Sequence, residues 1–434
     1  MRPKQWTTWI LFSLWACGGT SNNSQGQRPE AAPGDASAQR SDPPASQPAP
    51  TASAPQQPPR PLGTEAQKAL AWLIARQHQS GGFGQGEEAA NMGNAMASLR
   101  DQPNVGDTCA AALALLRSGS TPKDGPYAEP LRKALGFVCS QVEAADRDSL
   151  YVTDQKGTRL QAKLGTYVDT FLAAMLFAEI KGRMQDAAAE QRLMAAFDKV
   201  MDKIERNQKA DGSWANQGWA TALTQGIAGK ALNRASQMGL RVDVGVLAKV
   251  DDFSRQKVAA GTASAPSADS AGVALYAASS TLSVLAESEA TLKAREQALR
   301  LAAADPKRPA AQQAAQQELD RLEQTAQARA SAQQEVVRQL DDPRFLAGFG
   351  SNGGEEFLSY MNLSESLRAR GGEEWTRWND KITANLQRIQ NQDGSWSGHH
   401  CITGRTFCTS AALLVLMADR APLPGTETLA AAGK

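Results

Sequence analysis

The segment Asn385-Leu386-Gln387-Arg388-Ile389-Gln390-Asn391-Gln392-Asp393-Gly394-Ser395-Trp396 decides the fold, because its frame is written three times in the chain. An apolar Leu or Ile is followed after three residues by Gln, and after three more by Gly-x-aromatic. Leu73, Gln77 and Gly81-Gly82-Phe83 keep this spacing, as do Ile204, Gln208 and Gly212-Ser213-Trp214. A degenerate fourth copy has Phe137 and Gln141 without the Gly-x-aromatic end. Each copy predicts a helix that brings Gln to its C-terminal end and a tight reversal at Gly. The aromatic ring then packs back against the helical pair. Repeats of this size form stacked helical units, none of which buries its apolar face alone.

These cassettes resemble the QW repeats of the squalene–hopene cyclase and protein prenyltransferase superfamily, and the likeness covers most of the chain after about residue 62. The resemblance implies an all-α fold, an α/α toroid of about six helical hairpins around a central cavity. Laid on that plan, the Ala-rich runs Thr108–Ser118, Tyr167–Ile180, Trp219–Met238, Ser270–Glu287, Glu355–Ala369 and Phe407–Arg420 are the inner helices. Glu65–Gln77, Tyr127–Glu143, Ala187–Gln208, Val244–Val258 and Trp375–Gln390 are outer partners. One outer partner is then missing, and residues 289–340 stand in its place. Rich in Ala, Gln, Glu and Arg and broken at Asp305-Pro306 and Pro309, they read as a helical hairpin inserted into the ring. Leu319, Leu322, Val336 and Leu340 give it a thin seam, which suits either a solvated arm or a surface for a partner protein. Strand signals are almost absent.

The first sixteen residues read as an export signal. Arg2 and Lys4 precede the short apolar stretch Trp6 to Trp15, which is too short for a stable membrane span. It closes in Leu14-Trp15-Ala16-Cys17, which resembles a bacterial lipobox. That likeness implies cleavage before Cys17, lipidation of its sulfur and attachment to a membrane. Gly18 in place of an acidic residue points to the outer membrane of a Gram-negative envelope, with the protein facing the periplasm. Residues 17–61 are dominated by Pro, Ala, Ser and Gln, a tether that cannot bury enough apolar surface to fold. The toroid domain is expected over 62–434.

A formal net charge of +1, with no basic helix interleaved with aromatics, argues against nucleic acid. No phosphate-binding Gly loop and no Gly-x-Ser-x-Gly elbow occurs. Beyond Cys17 four cysteines remain, and an oxidising compartment makes disulfides a natural use for them.

In the superfamily the inner-helix N-termini open at one mouth of the ring. Here that mouth would collect Asp107, Asp169, Asp269, Glu355, Glu356, Arg405 and Cys408. Carboxylates at these positions serve either as helix caps or as the lining of a binding entrance. Asp107, Glu355 and Glu356 are the candidates for acid–base chemistry. The cyclase acid motif is matched at Asp107-Thr108, but Gly106 stands where its proton-donating Asp belongs. Asp107-Thr108-Cys109 also resembles the Asp-x-Cys of the prenyltransferase zinc site, with Cys408 at the position of the family His. With His400 and Cys401 in the preceding loop, the resemblance implies a zinc cluster of Asp107, Cys109, His400, Cys401 and Cys408. The competing readings are a Cys109–Cys408 or Cys401–Cys408 disulfide, or unpaired thiols. The function expected is an apolar or peptide ligand held in the central cavity, or metal-assisted transfer or cyclisation at the mouth.

Overall fold

A computed structural model describes residues 59–88, 99–265 and 267–425. The signal segment, Cys17 and nearly all of the tether lie outside the described residues. The described body is all-helical: no strand occurs among those residues, and the cassette turns form only isolated bridges. Its helices are α1 (Thr64–Ile74), α2 (Val105–Arg117), α3 (Ala128–Ala144), α4 (Arg159–Lys163), α5 (Val168–Ile180), α6 (Ala187–Arg206) and α7 (Thr221–Gln237). They continue as α8 (Val244–Ala259), α9 (Ala274–Ala303), α10 (Pro309–Gln339), α11 (Pro343–Leu346), α12 (Gly354–Arg370), α13 (Gly372–Ile389) and α14 (Arg405–Leu416). None of them is long and apolar enough to cross a membrane.

Burial separates two classes. Every residue of α2 and α5 is buried; both are mostly apolar or small on all sides, with Asp107, Arg117, Asp169 and Glu179 buried near their ends. By contrast α6 and α13 bury one stripe only and present charge elsewhere. The buried helices contact one another in sequence: α2 with α5, α5 with α7, α7 with α9, α9 with α12, α12 with α14. The succession then returns to its start, because α14 packs on α2. The amphipathic helices cover this set from outside, with α3 against α2, α6 against α5, α8 against α9 and α13 against α12.

The cassettes perform one repeated act. Gln77 Nε2 donates to the Gly81 carbonyl (2.8 Å) and to Pro130 at the start of α3 (2.8 Å). Gln208 does the same with Gly212 (3.3 Å) and Val246 in α8 (3.1 Å). Gln390 binds Gly394 (2.7 Å) and Glu65 in α1 (3.0 Å), which joins the last cassette to the first helix. In each copy the side-chain amide satisfies a turn carbonyl and a carbonyl in the first turn of the following outer helix. Gly81, Gly212 and Gly394 all have φ near +90°. A Cβ at any of them would strike the backbone of Lys133, Lys249 or Lys68, so only glycine allows this approach. Trp214 and Trp396 bury their rings and donate to Ile204 (2.8 Å) and Leu386 (2.9 Å). Where the fourth copy lacks its turn, Lys199 and Lys203 of α6 reach the Ala145 (2.5 Å) and Ser149 (2.6 Å) carbonyls instead.

The structure corrects the reading of residues 289–340. Their first part is no separate arm but a continuation of α9, which runs unbroken to Ala303. The second part, α10, packs on α9 and α8. Its Ala332 and Val336, with Leu340 just beyond, belong to the main core. Thr325 donates to both carboxylate oxygens of the buried Asp251 in α8 (3.0 and 2.9 Å). Three of the four seam residues, Leu322, Val336 and Leu340, are thus covered by the protein's own chain.

Candidate functional site

The first turns of the buried helices meet at one end of the body. Asn104 caps α2 by accepting from Asp107 N (2.8 Å), and its amide donates to Asp107 Oδ2 (2.8 Å). Asp107 is 1% exposed, and its Oδ1 has no hydrogen-bond partner. The neighbouring Gly106 makes room for Asp169 of α5: a Cβ there would lie 2.6 Å from Asp169 Oδ1. Gln161, from the short α4, donates to Asp169 Oδ2 (2.5 Å). Burial, with a smaller push from Asp169 and Glu88, raises Asp107 to about 7 against its bond to Asn104. Burial also raises Asp169 to about 6, although Gln161, the Gly106 backbone and Lys156 favour its charge.

The start of α12 supplies the second half. Glu356 reaches back as a capping group and accepts from Gly353 N (2.9 Å) and Phe349 N (3.0 Å). Tyr276, at the start of α9, donates to the same carboxylate, and His400 Nε2 lies 3.0 Å from its Oε2. Glu355 is fully buried: Oε2 accepts from Ile402 N (3.2 Å) and Oε1 has no partner. Burial first, and the adjacent Glu356 second, raise Glu355 to about 8. For His400 burial opposes the charge, but Cys401, Glu356 and the Ser351 carbonyl together lift it to about 11. Its Nδ1 lacks a hydrogen-bond partner of regular geometry.

The loop after α1 crosses this end. Gln85 is buried and Glu88 nearly so, and Arg159 of α4 holds Glu88 with two bonds, at 2.6 and 2.8 Å. The Gln85 and Glu87 carbonyls accept from Thr406 N (3.2 Å) and Arg405 N (3.1 Å) at the start of α14. Beside the carboxylates the surface carries two exposed aromatics. Trp219 and Phe349 meet edge to face with centroids 6.1 Å apart, and Phe349 lies 5.3 Å from the His400 ring.

Of the residues singled out in the sequence, the structure gathers some and disperses others. Among the described residues, one group of three or more potential ligands has its donor atoms within 4.8 Å: Glu355, Glu356 and His400. Asp107, Cys109, Cys401 and Cys408 are not in it, so the five-residue zinc cluster is not assembled. Residue direction explains part of this. Cys109, two residues beyond Asp107 on α2, responds to Asp169 and to Cys139 of the outer α3, while Cys408 donates to the Ile402 carbonyl (3.4 Å). All four described cysteines are buried free thiols, and neither expected disulfide is formed. Burial raises the Cys109 and Cys408 thiols well above their usual range, which suits inert core residues. Asp269 pairs with Lys257 (2.6 Å), and Arg405 pairs with Asp393 (2.6 Å) in the third cassette turn and with Glu87 (2.9 Å). Glu88 and Gln161 were not legible as site residues, because neither stands in a motif.

At the opposite end of the buried helices lies a second cluster. Arg117 pairs with Glu179 (2.7 Å) and Glu365 (3.6 Å), Arg234 with Glu287 (2.6 Å) and Glu365 (3.7 Å), and Lys230 with Glu365. These three cations and three carboxylates come from α2, α5, α7, α9 and α12, and all are buried. Two clefts accompany the fold. One of about 430 Å³ lies between α7, α8 and α9, lined by Trp214, Phe253 and Lys257; another of about 300 Å³ is lined by Glu179, Arg234, Gln237 and Leu423. Neither is an apolar central chamber. Compared with known proteins, the sequence matches no family model and no curated protein.

Proposed function

We propose that this protein is an envelope lipoprotein whose body is an α/α toroid, and that it binds a positively charged ligand at the inner-helix N-terminal mouth. The closed succession of contacts among the buried helices, with the Gln390–Glu65 clasp across the seam, supports the toroid. One observation carries the ligand reading. Five carboxyl groups, Glu88, Asp107, Asp169, Glu355 and Glu356, crowd the mouth with Arg159 and His400 as the basic groups paired into it, and buried oxygens of Asp107 and Glu355 have no partner. Buried acceptors without donors cost stability, and a bound ion or basic group is one thing that completes them. A purely apolar ligand would leave them unmatched, so the mouth favours a cation or a basic peptide group over the apolar cargo first expected.

The test is a thermal-shift series on the full chain with Mn²⁺, spermidine and a dilysine peptide as separate probes. At least one cation should raise the unfolding midpoint of the native protein, and Asp107→Asn with Asp169→Asn should weaken the response. Equal indifference of native and doubly substituted protein to all three would remove this reading. The lipoprotein assignment rests on Leu14-Trp15-Ala16-Cys17. Cys17→Ser should leave an unlipidated precursor, and unchanged membrane fractionation together with normal processing would contradict it.

A further inference from the structure

The Glu355–Glu356–His400 group holds a geometric conflict that a proton settles only in part. His400 Nε2 faces two oxygen acceptors at once, the Glu356 carboxylate at 3.0 Å and the Ser351 carbonyl at 2.7 Å. An imidazole nitrogen carries at most one hydrogen, so one of these approaches is poorly served. Glu355 adds a further acceptor: the residue is 0% exposed and its Oε1 meets no donor. A Glu355 oxygen, a Glu356 oxygen and a His400 ring nitrogen thus lie within 4.8 Å of one another, with the Ser351 carbonyl beside His400 Nε2, an arrangement that one positive centre would satisfy.

We propose that Glu355, Glu356 and His400, together with the Ser351 carbonyl, hold one divalent first-row transition-metal ion. The proposal rests on the reading of this mouth as a cation site and names the cation. The Glu355, Glu356 and His400 donor atoms lie within 4.8 Å of one another, a separation that ligands at metal–oxygen and metal–nitrogen bonds of about 2.0–2.2 Å can span. Two carboxylates, a carbonyl and one imidazole form a mixed O/N set that suits Mn²⁺, Fe²⁺ or Zn²⁺ better than the all-oxygen set of Ca²⁺. The backbone is shaped around the donors. A Cβ on Gly353 would come 2.9 Å from His400 Cε1 and 3.1 Å from Glu356 Oε2, and one on Gly348 would strike the Glu356 carboxylate. Tyr276 and the Phe349 N–H bind the far oxygen of Glu356 and fix its plane, as outer partners do for metal-ligating carboxylates. The thiols of Cys109 and Cys408 take no part.

Isothermal titration of the chelator-stripped full chain with Mn²⁺ and, separately, Zn²⁺ tests this. One ion per chain is expected, with affinity falling about 100-fold or more in Glu355→Gln and His400→Ala, beyond the loss usual for an outer partner. Cys109→Ser and Cys408→Ser should bind as the native protein does. Glu355→Gln is the decisive variant, because its Oε1 makes no hydrogen bond whose loss would unfold the chain. Unfolding midpoints in chelator identify any variant that fails to fold. Absence of binding at micromolar metal, while spermidine or the dilysine peptide still shifts the midpoint, would overturn the metal site and leave the cation mouth standing. Binding that persists in both Glu355→Gln and His400→Ala places the ion elsewhere and also overturns the proposal.

Discussion

The two ends of the buried helices use the same residue types to opposite effect. At the C-terminal end, Arg117, Lys230 and Arg234 face Glu179, Glu287 and Glu365 in equal numbers, and each cation has a carboxylate within 4 Å. At the N-terminal end carboxyl groups outnumber their basic partners, and Asp107 and Glu355 each leave an oxygen unmatched. Burial alone therefore does not mark a functional carboxylate. The matched set balances its charges across five helices, although Arg117 Nε and Arg234 Nη1 find no hydrogen-bond partner. The unmatched set raises the energy of the protein by itself and becomes favourable when something positive arrives.

The largest effect should come from unbalancing the matched end. Glu365→Leu leaves three buried cations with two carboxylates and should cost about 3–5 kcal/mol in urea unfolding, the usual penalty for removing one partner of a buried pair. Burial opposes ionisation of Glu365, but Lys230, Arg117 and Arg234 outweigh it and hold its carboxyl at about 2. Because that lies below the ordinary value, its stabilisation is present above about pH 4.5 and is lost as pH falls toward about 2. The leucine variant should lose this acid-limb dependence.

At the unmatched end the sign reverses. Asp107 titrates near 7, above its ordinary value, so its favourable protonated state is fully present below about pH 4 and is lost as pH rises through 7. Asp107→Asn should flatten stability over that window and make the protein more stable than the native form at pH 8, by about 1–3 kcal/mol. Thermal melts across pH 4–8 measure it. A less stable variant at pH 8 would reduce Asp107 to a helix cap and erase the contrast between the two ends.

A smaller change tests whether the cassette clasps frame the mouth. Gln390→Ala removes two bonds at the seam and should cost about 1–2 kcal/mol. Amide exchange should quicken in the first turns of α1 and α14 more than around Glu365. Smallest of all, Trp219→Ala removes a half-exposed ring and should change stability by about 0.5 kcal/mol or less, seen as an almost unmoved urea midpoint.

How far the sequence discloses this molecule follows from the range of each signal. The Gln-to-Gly spacing is local, so the three clasps and the runs that became α2, α5, α7, α12 and α14 were legible. The packing of α10 was less so, because it buries only a thin seam, Leu322 and Val336, among the small or polar Ala315, Thr325, Ala332 and Gln333. Glu355, Glu356 and His400 were each noticed, but their meeting depends on a loop conformation that brings residue 400 back over α12. Asp107 and Cys109 were grouped by motif; both feel Asp169, but Asp107 is held by Asn104 while Cys109 lies toward Cys139 of α3. The matched cluster went unread although each contributing helix carries a charge in its third or fourth turn. A lone charge in an Ala-rich run has no partner in sequence, only in space.

The seam has a mechanical meaning. Arg60 N donates to Asp419 (2.9 Å), while Arg420 reaches the Arg60 carbonyl (2.5 Å) and the Ser118 carbonyl that ends α2 (3.5 Å). The first and last described segments of the body thus meet at one spot, about 17 Å along α2 from Asp107. A pull transmitted through Pro59 would load the junction of first and last elements and peel that single seam, leaving the carboxylate end out of the line of force.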